Sequence, residues 1–249
     1  MRLKNKIAII TGASSDGIGR AIAVRFAQEG AKVAIIGRRH SGLEETSRQI
    51  ASIGGESLIL VSDVSISDTA RQNVEMTMDR FGRLDILVNN AGIVLRKPFI
   101  EIEPEEFDRL YETNVRGYFF YAQAAAKQMI KQKQGKIIMV SSDSALTGIP
   151  YRSAYAATKG AILSLTRTIA NELLPYRINV NAIVPGTVET DINRDKIKND
   201  PEYCAEAIKR CPLGIGAVDD IAPAAVYLAS DETNWMTGQS IIIDGGHLL

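Results

Sequence analysis

Tyr155 and Lys159 stand four residues apart in Tyr155-Ala156-Ala157-Thr158-Lys159. On a helix that spacing puts two side chains on one face. Of the eight tyrosines, only Tyr155 has a lysine at i+4. An ammonium beside a phenol favours tyrosinate and draws its pKa, ordinarily about 10, towards neutrality. A phenol so tuned can give and take a proton in step with a reaction. Ser142, thirteen residues earlier and at the end of an apolar run, can hydrogen-bond a reacting oxygen; Ser141 competes with it for that place. Asn114 falls inside a helical period, where its amide competes with backbone bonds, so a local task suits it. Taken singly, each is also what a solvated helix face or a strand end carries.

A second constellation lies near the N-terminus, in Thr11-Gly12-Ala13-Ser14-Ser15-Asp16-Gly17-Ile18-Gly19. It follows a β-branched run and opens a helical period. Glycines in a β-to-α turn let the backbone approach a pyrophosphate, and the helix N-terminus offers free N–H groups. Ser14 and Ser15 add hydroxyls. A glycine-rich turn with no ligand has the same letters.

These residues need elements to carry them. Short apolar runs at Ile7–Ile10, Lys32–Ile36, Leu58–Val61, Ile86–Val88, Lys136–Val140, Ile178–Ile183 and Ser240–Ile243 read as strands, several apolar enough to be buried on both faces. Helical periods occupy 18–29, 43–53, 67–80, 104–131, 152–174 and 220–229, with Gly30 placed to stop the first. The alternation predicts an α/β fold of the Rossmann type, doubly wound, with a mostly parallel seven-stranded sheet and helices on both faces. Residues 1–249 read as a single domain. The polar stretch 189–216 breaks the rhythm and is expected to be a substrate lid, the alternative being a solvated insertion with a short helix of its own.

Lys plus Arg and Asp plus Glu are both 29, which gives no electrostatic reason to expect nucleic acid or an anionic membrane. Cys204 and Cys211 are the only cysteines, too few for a disulfide framework, and no metal site is expected. The apolar run Ile7–Ile10 is too short for a signal peptide, and nothing approaches a membrane helix. A cytoplasmic protein with reduced thiols is the expectation.

The glycine turn, followed in order by Asn89-Asn90-Ala91-Gly92, Ser142, Tyr155 to Lys159 and Pro185-Gly186, resembles the short-chain dehydrogenase/reductase family over nearly the whole chain. The resemblance implies an alcohol–carbonyl oxidoreductase with a nicotinamide cofactor, Tyr155 as acid and base, Ser142 on the reacting oxygen, and Lys159 on the nicotinamide ribose. It implies a water-linked proton relay at Asn114 and cofactor contacts from Gly12, Ser14, Ser15, Gly17, Ile18, Gly19, Asn90, Ala91 and Gly92. Asp63 and Val64 match the adenine-contacting pair, and Pro185, Gly186, Val188 and Thr190 belong to the segment gripping the nicotinamide amide. The family spaces its first two glycines by three residues; here four intervene, Ala13 to Asp16, so the loop bulges and either Ser14 or Ser15 meets the phosphates.

Enzymes preferring NAD(H) place an acid at the end of the second strand. Here Gly37 holds that place, followed by Arg38 and Arg39. Arg38 can pair with a 2′-phosphate, so NADP(H) is expected to be preferred, with NAD(H) usable. The run Ile93-Val94-Leu95-Arg96-Lys97-Pro98 resembles the gluconate 5-dehydrogenase-like branch, which implies a sugar acid or polyol as the small-molecule substrate. Arg96 is the candidate for holding it, unless it pairs with Glu101 or Glu103 on the surface. Asp143 and Arg152 are further pocket candidates. A 3-oxoacyl-carrier or simple ketone reductase is the alternative, weakened by Ala170-Asn171-Glu172 where carrier-docking members have an arginine. A dinucleotide sensor or scaffold without turnover is the alternative of another class. The apolar C-terminal run and the two long helices imply a homotetramer.

Overall fold

β1 (Ile7–Thr11) is buried at all five positions, and its side chains alternate between two cores. Ala8 and Ile10 join one cluster of apolar residues, Ile9 the other. A strand covered on both faces must be apolar throughout. The computed structural model describes residues 1–249. Its remaining strands are β2 (Lys32–Gly37), β3 (Ser57–Val61), β4 (Ile86–Asn89), β5 (Gly135–Val140), β6 (Ile178–Pro185) and β7 (Ser240–Ile243). They form one seven-stranded sheet in the order β3-β2-β1-β4-β5-β6-β7. All pairs are parallel; Ile9, for example, lies between Ala34 and Leu87.

One face is covered by α1 (Ile18–Gln28) and α9 (Val218–Ala229) through Ile22, Phe26, Ile221 and Val226. The other is covered by α3 (Ser67–Phe81), α5 (Gly117–Gln132) and α6 (Ser153–Leu173) through Val74, Tyr121, Met129 and Ile162. α2 (His40–Ser52) packs Leu43 and Ile50 against the first core. Gly30 follows α1 at φ 89°, a conformation that favours glycine, and donates its N–H to the carbonyl of Ala27.

The strand order reverses between β1 and β4, and ligands of open parallel sheets bind beyond the carboxyl ends at such a point. Thr11 joins the two ends: its hydroxyl accepts the N–H groups of Asn90 at 2.9 Å and Ala91 at 3.1 Å.

One expectation needs revision. The helical period 104–131 is two helices, α4 (Pro104–Tyr111) and α5, joined by a π-helical turn over Glu112–Arg116. A π turn leaves the regular ladder, and such turns recur at functional sites. It holds the fully buried Asn114, whose side chain bonds to Ile93 instead. The stretch 189–216, expected as a lid or as an insertion with a short helix of its own, carries two helices, α7 (Arg194–Asn199) and α8 (Pro201–Arg210). Pro201 starts α8, where a missing N–H costs nothing, and Asp200 caps it by accepting the N–H of Tyr203 at 2.9 Å.

Candidate active site

The glycine turn is shaped by what surrounds it. A Cβ on Gly12 would lie 2.7 Å from Ala91 Cα, and one on Gly19 would collide with the Gly12 carbonyl. The Asn90 amide donates to the carbonyls of Thr11 at 3.0 Å and Gly12 at 3.4 Å, tying the turn to the end of β4. No side chain caps α1, so its first-turn N–H groups stay available for an anion.

The extra residue in the turn makes room for itself at two other glycines. Ser14 wedges against Gly37, where a Cβ would lie 2.5 Å from the Ser14 hydroxyl and 2.6 Å from its Cβ. A Cβ on Gly42 would collide with the Ser14 carbonyl. Gly37, read above as a missing acid, therefore also serves the bulge. Beside it, Arg38 lies 3.8 Å from Asp63. Arg39 donates to the Ser14 carbonyl and to Asp191, both at 3.1 Å. Burial pushes the Asp63 carboxyl up, but the Ser65 N–H and hydroxyl, with the charge of Arg38, outweigh this and hold it below the usual range.

Every residue expected to touch a cofactor lines one cleft of about 950 Å³ above the carboxyl ends of the strands. The set runs from Gly12, Ser14, Ser15, Gly17, Ile18 and Gly19 through Arg38, Asp63, Val64, Asn90, Ala91 and Gly92 to Pro185, Gly186, Val188 and Thr190. Volume, glycine cradle and open helix N-terminus together fit a dinucleotide.

Ser142, Tyr155 and Lys159 meet on the same cleft. Ser142 lies just past the end of β5, buried but lining the cleft. Ser141 instead donates its hydroxyl to the Lys159 carbonyl at 2.8 Å, which pins α6 to the strand. Burial raises the Tyr155 pKa above its ordinary value, while a hydrogen bond to Ser142 and the charge of Arg152 work the other way. The expected effect of Lys159 is missing. Its ammonium lies 5.8 Å from the Tyr155 ring centre and donates to the Val140 carbonyl at 2.9 Å and to Tyr118 Oη at 3.4 Å. Burial holds Lys159 down to about 8. The helix places both side chains on one face, but the strand carbonyl captures the ammonium.

Asn114 does not line the cleft. Its Oδ1 accepts Ile93 N–H and its Nδ2 donates to Ile93 O, both at 2.9 Å, with Thr158 Oγ1 3.2 Å from Nδ2. It holds the chain beside Gly92, where a Cβ would lie 3.6 Å from Lys159 Nζ.

The far end of the cleft is lined by Ile93, Val94 and Leu95 together with Arg96 and Arg152. Arg96 pairs with neither Glu101 nor Glu103. Its guanidinium lies over the Tyr203 ring, 4.7 Å from the centre, and donates to Tyr203 Oη at 2.8 Å. Arg152 donates to Ser144 at 3.1 Å. Asp143 corrects the sequence reading: it is 1% exposed and turned behind the cleft wall, where it accepts the Ser142 hydroxyl at 2.9 Å and meets His247 Nδ1 at 2.9 Å.

Tyr203 and His247 escaped the sequence reading, as did Tyr118. No spacing rule points to them, because each reaches the site from a distant segment. No cluster of three His, Cys, Asp or Glu side chains could hold a metal, and no helix is long and apolar enough to cross a membrane.

A family model described as enoyl-(acyl carrier protein) reductase matches residues 12–247. An L-rhamnose 1-dehydrogenase (NAD(P)(+)) of Azotobacter vinelandii is 41% identical over 255 residues, with 99% of this chain and 98% of the relative covered. A 3-oxoacyl-(acyl-carrier-protein) reductase of Thermotoga maritima is 38% identical, with 99% of each chain covered. The crystal structure of a short-chain type dehydrogenase/reductase from Mycobacterium marinum superposes with a TM-score of 0.93 at 38% identity, covering 98% of this chain and 96% of that one.

Proposed function

Since the chain belongs to the short-chain dehydrogenase/reductase family and is an oxidoreductase acting on CH–OH groups with a pyridine nucleotide, we propose that it oxidises a sugar, sugar acid or polyol with NADP⁺, Tyr155 serving as acid and base. The observation that carries this is the meeting of Tyr155, Ser142 and Lys159 on the cleft that also holds the glycine turn. The nicotinamide ring, when bound, takes up or gives the hydride. The other work falls to the protein's own groups.

In oxidation the Tyr155 oxygen accepts the alcohol proton as the carbonyl forms; in reduction it returns one. Ser142 holds the reacting oxygen in place. Lys159, once drawn from Val140, supplies a positive charge that favours tyrosinate, and Asn114 keeps the neighbouring chain in register for a water-linked relay. Arg96 and Arg152 suit a hydroxyl-rich or carboxylate-bearing substrate, because a guanidinium offers a planar fork of donors.

Arg38 and the absence of an acid at Gly37 support NADP(H) over NAD(H). Tyr203 beneath Arg96 supports the reading of 189–216 as a lid, since it brings that segment to the substrate end. Exposed Phe107 and Phe119 on α4 and α5, with Trp235 and Leu249 near the C-terminus, support a homotetramer.

The test is absorbance at 340 nm with a panel of aldoses, aldonates, diketones and 3-oxoacyl thioesters, each with both cofactors. A preference for 3-oxoacyl thioesters would move the reading to the acyl branch, for which the Thermotoga maritima relative speaks. No turnover with any of them, alongside tight nucleotide binding, would mark a sensor.

A further inference from the structure

Asp143 is a buried carboxylate that the proposed chemistry does not use. Burying a charge is costly unless it is paired and hydrogen-bonded, yet no lysine or arginine forms a direct ion pair with it. Arg152, the nearest guanidinium along the chain, donates to Ser144 Oγ instead. The one ion-pair partner of Asp143 is His247, with 2.9 Å between Nδ1 and Oδ2 and the imidazole 12% exposed. The other carboxylate oxygen accepts Ser142 Oγ at 2.9 Å, with Ser144 Oγ at 3.4 Å.

An ionised carboxylate can only accept, so the ring nitrogen facing it must carry a proton. The same logic directs the single Ser142 proton to Asp143. It leaves the serine lone pairs for the Ser144 N–H, 3.2 Å away. His247, Asp143 and Ser142 thus form one line that ends on the cleft Tyr155 also lines.

The tail that carries His247 is built rather than frayed. Asp244 accepts the N–H groups of Gly246 at 3.0 Å and Leu248 at 2.9 Å. Gly245 and Gly246 turn the chain back at φ 65° and 88°, a region that favours glycine. Leu213, just past α8, donates its N–H to the Gly245 carbonyl at 3.0 Å.

We infer that His247 is a positioning residue for the reaction: by holding Asp143, it fixes the rotamer of Ser142. The inference rests on the proposed role of Ser142 and Tyr155. A histidine–carboxylate pair is a common way to orient a catalytic group. Here the carboxylate orients the serine, and the imidazole orients the carboxylate.

His247→Ala removes the donor, and His247→Asn replaces it with an amide of similar reach. The alanine variant should lose about ten- to a hundredfold in kcat, the range for a misplaced reacting group, with nucleotide affinity measured by fluorescence unchanged. The asparagine variant should recover most of the loss. Should the alanine variant not fold, His247→Leu fills the volume without a donor and takes its place. Turnover is read with the substrate panel, with Tyr155→Phe in parallel. Loss in Tyr155→Phe but not in the donor-free variant defeats the inference alone; full turnover in Tyr155→Phe defeats the reading beneath it. A crystal structure of the donor-free variant decides the matter without any substrate. A displaced or split Ser142 rotamer is the expected result, and an unchanged one overturns the inference, as does an asparagine variant as impaired as the donor-free one.

Discussion

Lys159 gives its ammonium to the Val140 carbonyl at 2.9 Å, not to the phenol of Tyr155 one helical turn away. The ammonium is 3% exposed as a residue and pairs with no carboxylate. Burial alone brings it down to about 8. The unfolded chain therefore binds the proton more tightly than the folded one between about pH 8 and 10.4, the ordinary lysine value. Stability from this group is lacking below pH 8 and recovers as pH rises through that window. Lys159→Met should stabilise the protein at pH 7 by roughly 1–3 kcal/mol, an order-of-magnitude figure from the desolvation of one charge. The Val140 carbonyl keeps the Tyr118 hydroxyl at 2.9 Å. Denaturant unfolding of both proteins at pH 7 and pH 10 checks this: the gain should shrink at the higher pH, and turnover should be lost at either.

Tyr155→Phe removes only the proton-carrying oxygen. Turnover should fall about a hundred- to ten-thousandfold, with nucleotide affinity within a factor of two or so. A variant retaining a third of wild-type kcat would remove Tyr155 from the acid–base role.

Arg38→Ala should weaken NADP⁺ roughly ten- to a hundredfold, the loss of a charge-assisted bond to phosphate, and leave NAD⁺ nearly unaffected. Titrating both nucleotides into both proteins gives the ratio. Adding Gly37→Asp should fail to create a good NAD⁺ site while Ser14 is present, because the new Cβ would sit 2.6 Å from Ser14 Cβ. Shortening the turn by deleting Ser14 should rescue it. A wild type that already favours NAD⁺ would count against the arginine reading.

Arg96→Ala should raise KM for an aldonate about tenfold or more, and change it little for an uncharged diketone. Tyr203→Phe removes the hydroxyl that Arg96 donates to at 2.8 Å, and should give a smaller shift in the same direction. Equal effects on charged and neutral substrates would leave Arg96 as a surface group.

Arg194 ties 189–216 to the glycine turn, meeting Asp16 at 2.9 Å and Glu189 at 3.0 Å. Arg194→Ala should speed hydrogen exchange and proteolysis within 190–210 while Tm barely moves, since exposed pairs add little to global stability. Raising the salt concentration should mimic it in the wild type. Exchange unchanged in both experiments would show that the segment is held by its packing instead.

Which parts of this were legible in the chain follows from what local sequence controls. Runs such as Ile7–Ile10 and Lys136–Val140 could only be strands covered on both faces, and seven of them between helical periods dictate a parallel sheet. The residues at the strand ends then share one edge whatever the packing details, which is why Gly12, Asn90, Ser142 and Pro185 were expected at one site and do line one cleft. Contacts between distant segments carry no such periodicity. Arg96 and Tyr203 are 107 positions apart, and Asp143 and His247 are 104 apart. The capture of Lys159 by a carbonyl of β5, the wedge of Ser14 against Gly37 and the π turn around Asn114 likewise depend on how neighbouring elements pack. Periodicity determined the elements and the edge where they gather; close packing among side chains far apart in the chain decided which of them touch.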